Sequence, residues 1–174
     1  LEAEVSSEKA SAALFNLALC HRMLGANEEA RSLLEQYRAQ YGSDERAAEI
    51  AYQLSDIHEQ AARPQMAKAE QENALAAGAS GNRAVELQYR LGLAHEQEGD
   101  IEEALAAYGE ASRGPDMADP FRLSAVARAA ALYEQEGKFQ EALAAYRDLM
   151  RNAEDPDLVA AAEERAVQLE GAKE

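Results

Sequence analysis

The stretch "LAHEQEGDIEEALAAY", residues 93–108, decides how the chain is read. His95 is followed at once by Glu96, with Glu98, Asp100, Glu102 and Glu103 close behind. That run could open a metal or acid–base site, or it could be ordinary helix–turn–helix sequence. A repeat settles the question. "HEQ" also occurs at 58–60, and His21, His58 and His95 stand 37 residues apart, with Tyr133 following after 38. Ala30, Ala67, Ala104 and Ala142 keep the same step, as do Leu17, Leu54, Leu91 and Ala129. So do Gly25, Ala62, Gly99 and Gly137. Self-similarity at a period of roughly 20–50 residues is the mark of a repeat architecture.

Each unit reads as two helices. Leu87, Leu91, Ala94 and His95 fall at helical spacing, and Gly99 supplies the positive φ that ends a helix. "GDIEEAL" (99–105) opens the second helix, with Asp100 as its predicted cap and Glu103 completing a capping box. Pro64 falls in the first turn of a second helix, where its missing N–H costs least. "YGSD" (41–44), "AAGASGN" (76–82), "RGPDMADP" (113–120) and "AEDP" (153–156) read as loops between units. Asp119–Pro120 and Asp155–Pro156 each read as an N-cap followed by a first-turn proline. The predicted repeats span 11–44, 48–80, 85–116 and 123–155 within one domain, 1–174. A final helix at 156–169, with Leu158, Ala162 and Leu169 on one side, is predicted to cap the stack.

Composition agrees with an all-α reading. The chain is 47% hydrophobic but only 6% aromatic, with 4 prolines and no tryptophan. Much of the apolar share is alanine, which favours helices that pack closely. Thirty-three acidic against 17 basic residues give a net charge of -16. That charge disfavours nucleic acid and anionic membrane surfaces, which both recruit Lys and Arg. No apolar run approaches the roughly 18 residues that span a bilayer, so no direct membrane insertion is expected. The single cysteine, Cys20, rules out an internal disulfide and reads as a lone buried thiol. The chain opens "LEAEVSSEKA" without an initiator Met, as a piece of something longer would.

Catalytic constellations fail one by one. A zinc-protease motif needs a second histidine at i+4, and that position is Gly99. A metal shared by the three register histidines needs ligands about 2.0–2.1 Å from one ion. Helices that pack side by side stand roughly 8–10 Å apart. The histidines are therefore expected to be packing residues, each with a local hydrogen bond. Glu pairs such as Glu102–Glu103 sit at helix starts, where they favour the dipole. No enzyme, metal or cofactor is expected.

At these residues the chain resembles the tetratricopeptide repeat (TPR) family. "YRLGLAHEQEGDIEEALAAYGEAS" (89–112) carries the family pattern through Leu91, Gly92, Gly99, Ala104, Tyr108 and Ala111. "AAALYEQEGKFQEALAAYRDLM" (129–150) and "FNLALCHRMLGANEEARSLL" (15–34) follow it. The copy from Ala48 to Ala79 is the weakest, with Ala62 for the turn glycine and Gln71 where the others have Leu34, Tyr108 and Tyr146. The resemblance implies an all-α, right-handed α-solenoid of four TPR-like helix-turn-helix repeats with a C-terminal capping helix. The step exceeds the family's usual 34, which implies longer loops. Such periods are similar to those of bacterial cell-envelope members, so bacterial cytoplasm or periplasm is the expected setting.

The resemblance further implies that the first helices line a concave groove. Carried over position by position, the first copy gives Ala12, Phe15, Leu19, Arg22 and Met23, and the second Glu49, Tyr52, Asp56, Glu59 and Gln60. The third gives Glu86, Tyr89, Leu93, Glu96 and Gln97, and the fourth Ser124, Ala127, Ala131, Glu134 and Gln135. Phe15, Tyr52 and Tyr89 would make an aromatic row, and Glu59, Glu96 and Glu134, each followed by Gln, an acidic one. The other reading is that the aromatics pack between units and the glutamates are merely solvated. With mostly acidic or apolar groove positions and only Arg90 and Arg128 basic nearby, the clamp for acidic chaperone tails is not expected. The expected partner is a protein or peptide carrying Lys or Arg beside an apolar anchor. The alternative is self-association through an open N-terminal end, Leu1 to Ala13.

Overall fold

The computed structural model describes residues 2–42 and 45–171, with side-chain detail from Ser7 onward. Ser43 and Asp44 of the predicted loop at 41–44, and Leu1 of the predicted open end, lie outside the described residues. The described residues form helices and no strands. They cluster into two compact units, Leu1–Ala79 and Ser80–Glu174.

The first unit holds α1 (Glu2–Met23), α2 (Asn27–Tyr41), α3 (Ala47–Gln60) and α4 (Pro64–Ala76). α1 pairs with α2, α3 pairs with α4, and α2 packs on α3. Ala18, Ala30, Leu34, Tyr37, Ile50, Leu54 and Ile57 form its core. Full burial of side chains such as Leu54 and Ile57 contributes about 1.5–3 kcal/mol each. α1 extends well before the predicted start at residue 11, because nothing in 2–10 breaks a helix.

The second unit holds α5 (Gly81–Glu98), α6 (Ile101–Ser112), α7 (Pro120–Gln135), α8 (Phe139–Asn152) and α9 (Pro156–Gly171). α5 pairs with α6, α7 with α8, while α6 packs on α7 and α8 on α9. α9 lays Ala162, Ala166 and Leu169 against α7 and α8, and leaves Glu163, Glu164 and Glu170 exposed. It therefore presents a largely polar outer face, as the terminal element of a repeat stack requires.

The repeat register has a packing cause. Ala30, Ala67, Ala104 and Ala142 are all buried, no more than 2% exposed. Equivalent register positions combine a small residue with a larger one within one core: Ala18 with Leu34, Gly92 with Tyr108, Ala130 with Tyr146. A Cβ on Gly92 would overlap the Tyr108 ring. Only glycine fits there without movement.

One backbone motif closes all four hairpin turns. The N–H groups of Ala26, Arg63, Asp100 and Lys138 donate to the carbonyls of His21, His58, His95 and Tyr133 at 2.8–2.9 Å. This is the six-to-one bond of a Schellman ending, and it needs a left-handed residue just before the donor. Gly25, Gly99 and Gly137 supply it, and Ala62 adopts it at φ 54°.

The caps follow the predictions only in part. Asp119 accepts from the N–H groups of Phe121 and Arg122 at 2.9 and 3.0 Å, with Pro120 in the first turn. Asp155 accepts from the Asp157 N–H at 2.9 Å. Asp100 does not cap: its side chain makes no bond to the α6 N-terminus. The tight turn that bonds its own N–H to His95 sets its backbone at φ -84°, ψ 72°, outside the extended conformation typical of a capping residue.

The loop at 113–119 is held by Arg122, which is 3% exposed. Its guanidinium donates to the Ser112 and Met117 carbonyls at 2.9 and 3.1 Å and pairs with Asp148 at 2.7 Å. A buried arginine is tolerated when its donors are matched in this way.

Candidate partner-docking surface

The predicted site residues belong to the first helix of each hairpin, and the structure ties most of them to neighbours within their own unit. In the second unit the Tyr108 hydroxyl donates to Glu96 Oε2 at 2.6 Å, and the Tyr146 hydroxyl donates to Glu134 Oε1 at 2.5 Å. In the first unit Gln71 Nε2 donates to Glu59 Oε1 at 2.7 Å. Each glutamate of the predicted acidic row thus braces its own hairpin from 12 residues away.

Arginines of the following helices, α7 and α9, add a second tie. Arg128 donates to Glu96 at 3.2 Å, and Arg165 of α9 pairs with Glu134. The Glu96 and Glu134 side chains are 25% and 12% exposed, so Glu134 in particular presents little free charge. Burial, then the glutamate bond, raises the Tyr146 hydroxyl to about 12, and the same causes push Tyr108 up further. Both tyrosines stay protonated donors at any ordinary pH.

The first copy inverts the charge. Arg22 stands where the other copies have glutamate. It donates to Gln53 and Asp56 at 3.3 Å, to Asn27 at 3.0 Å and to Gln60 at 3.4 Å. Asn27 also donates to Gln60, at 2.7 Å. Leu19, Arg22, Met23, Gln53, Asp56 and Gln60 together line an open groove across α1 and α3. Its polar floor is satisfied, while Met23 is 87% exposed at its rim.

The aromatic row packs as well as faces outward. Phe15 meets Tyr37 edge-on at 6.2 Å, and the Arg46 guanidinium lies 5.8 Å from the Phe15 ring centre. Tyr89 tilts against Tyr108 at 6.1 Å and Phe121 at 5.8 Å. Tyr52 is half-buried. Gln97 and Gln135 are exposed at the ends of α5 and α7.

The histidines sit in the hairpin interiors, but not all with the expected hydrogen bond. Among the described residues, Nδ1 of His21 and of His58 meets no partner. His58 is 5% exposed, and desolvation is the main cause that lowers its pKa below the ordinary histidine value. His95 Nδ1 lies 3.9 Å from Asp100 Oδ2. His95, Glu98 and Asp100 place ligand-type atoms within 4.8 Å of one another around the Gly99 turn. Glu98 and Asp100 are exposed, and charged side chains gather at such turns without an ion.

Three residues of this network escape the sequence reading: Arg165 reads only as part of a capping helix, and Gln53 and Asn27 belong to no site. Asn27 has no counterpart in the other copies, unlike Arg165 and Gln53. Their signal was present: Arg165 follows Arg128 by 37 residues, and Gln53 precedes Arg90 by the same step. The structure also corrects Cys20, whose thiol is exposed rather than buried.

Repeated hairpins with tyrosine–glutamate braces and an open groove on the first helices define an all-α helical-repeat protein. Tetratricopeptide-repeat family models match residues 12–44 and 85–113. None of the curated proteins matches the chain in sequence. Among solved structures, YrrB, described as a TPR protein with an unusual peptide-binding site, is similar over 99% of this chain and 82% of its own. The TM-score is 0.71 at 20% identity. MamA is similar at TM-score 0.63 and 18% identity, over 87% of this chain and 82% of that one. Pseudomonas aeruginosa pilF follows at 0.57 and 23%, over 93% and 74%. Residues 12–44 and 85–113 thus carry tetratricopeptide repeats, within an all-α repeat fold that the chain shares with these structures. No described helix is long and apolar enough to cross a membrane.

Proposed function

We propose that the chain is a non-catalytic protein-interaction scaffold that docks a peptide or helix along its first helices. The observation that carries this reading is the groove in the first unit. Leu19, Arg22, Met23, Asp56 and Gln60, all carried over from the family pattern, line one open surface with Gln53. Exposed Met23 offers an apolar contact beside amide groups, and such mixed surfaces concentrate binding energy in a few anchors. The YrrB likeness supports the fold on which such a groove is built.

The preferred ligand pairs Lys or Arg with an apolar anchor, the chemistry offered by Tyr52 and Glu59 in the first unit and by Tyr89, Glu96 and Glu134 in the second. Arg128 and Arg165 already pair with Glu96 and Glu134, and Gln71 donates to one oxygen of Glu59. Selection from a random peptide library displayed on phage tests the idea. Enriched peptides should be basic and apolar and bind at least tenfold more weakly to Met23→Glu and to Glu59→Lys. Enrichment of acidic peptides, or binding indifferent to both variants and to salt, would sink it.

A further inference from the structure

The same register position is buried in three hairpins and open in the first. Leu54 is 1% exposed, Leu91 6% and Ala129 8%, whereas Leu17 is 47% exposed. The contrast extends along the face. Ile50 and Ile57 of α3 are buried, and their counterparts on α1 are exposed Ala13 and exposed Cys20. Leu24, one turn further, is 81% exposed. Ala13, Leu17, Cys20 and Leu24 fall at helical spacing and make one continuous stripe.

What covers this stripe elsewhere is visible within each unit. On α3 it is the second helix α2, which brings Leu34, Tyr37 and Tyr41. On α7 it is α6, and on α9 it is α8. The polar edge repeats too. Arg46 donates to the Tyr37 hydroxyl of the covering helix at 3.0 Å, and Lys9 occupies the corresponding place on α1. Residues 9–24 contain no Asp or Glu in a chain of net charge -16, so this face does not repel an acidic helix.

We propose that the Ala13–Leu17–Cys20–Leu24 face, on α1 and the turn after it, docks an amphipathic helix of the α2 type supplied from outside residues 1–174, continuing the stacking interface seen between α2 and α3. The incoming helix runs antiparallel to α1, with Leu and Tyr on its apolar stripe and a Tyr hydroxyl within reach of Lys9. This face is distinct from the groove at Arg22 and Gln60, and the proposal stands without it.

Cys20, the single cysteine, lies inside the face and reports on its occupancy. The probe is a peptide of the sequence of residues 27–41, held helical by a staple on its polar side. Iodoacetamide alkylation of Cys20 in the full chain should slow at least fivefold at saturating peptide. Leu17→Glu and, independently, Ala13→Glu should abolish that protection while the circular dichroism and melting temperature stay put. Met23→Glu, in the groove, should leave it intact. Unchanged alkylation with peptide present, or protection that survives Leu17→Glu, overturns the proposal. So does a wild-type dimer in light scattering that Leu17→Glu converts to monomer, since a second copy would then own the face.

Discussion

The Tyr108 hydroxyl lies 2.6 Å from Glu96 Oε2, joining the two helices of one hairpin through side chains 12 residues apart. Tyr146 and Glu134 repeat the bond at 2.5 Å. A hydrogen bond to a charged group contributes about 1.5–3 kcal/mol, and partial exposure of Glu96 puts this one near the lower end. Tyr108→Phe should therefore lower unfolding stability by about 1–2 kcal/mol in urea titrations. A loss under about 0.3 kcal/mol would mean that the bond is replaced by water without penalty.

The same bond gives an alkaline signature. The Tyr146 pKa is raised to about 12, first by burial and then by Glu134. An unfolded tyrosine titrates near 10. Its contribution is thus complete below pH 10 and is lost as the pH climbs from 10 toward 12. The stability gap between wild type and Tyr146→Phe should be wide at pH 8 and narrow at pH 11. Equal gaps at the two values would refute the assignment.

Gly92→Ala drives a methyl group into the Tyr108 ring. Overpacking costs about 1–3 kcal/mol, and alanine's helix preference returns about 1 kcal/mol. The fourth copy buries Ala130 and Tyr146 in one core at the same register positions, so a ring can be accommodated beside alanine and the net cost should fall at the lower end. Adding Tyr108→Leu, which restores the Ala18–Leu34 combination, should recover part of it in a double-mutant cycle. Strict additivity of the two changes would argue against the contact.

His58 should make the first unit acid-sensitive. Desolvation is the main cause that lowers its folded pKa, with Glu70 opposing and Arg63 and Arg31 reinforcing. A histidine depressed by folding takes up its proton more readily when unfolded, so stability falls as the pH drops below the ordinary value near 6.5. His58→Tyr, which copies the residue found at Tyr133, should flatten the loss of melting temperature between pH 7.5 and 5.5. Parallel curves for the two proteins would assign that sensitivity elsewhere.

Ala62 adopts φ 54° at a turn where three other copies use glycine. The left-handed conformation costs a non-glycine residue roughly 1–2 kcal/mol, while glycine's added freedom when unfolded returns roughly 0.4–1 kcal/mol. Ala62→Gly should raise stability by about 0.5–1 kcal/mol, readable as a higher urea midpoint.

The hairpins could be read in the sequence because their determinants are local and repeated. A glycine that permits the turn, a buried alanine and a leucine four residues before each histidine all recur at one step. Site residues were harder to read for a physical reason. Glu96 looks like a free anion until Tyr108 and Arg128 are brought to it from 12 and 32 residues away. Family pattern places a residue on a face but says nothing about whether its charge is already spent. Asp100 failed as a cap for a related reason: the turn's own backbone bond fixed its conformation first.

Arg122 has a consequence for how the chain meets a protease. The segment 113–119, with its glycine, proline and exposed Arg113, has the composition of an easily nicked linker. Arg122 fastens both ends of it, at Ser112 and Met117, and is anchored in turn by Asp148 on α8. Loss of those bonds in Arg122→Ala should speed cleavage there, because what reads as a tether is held to the folded body by α7 and α8.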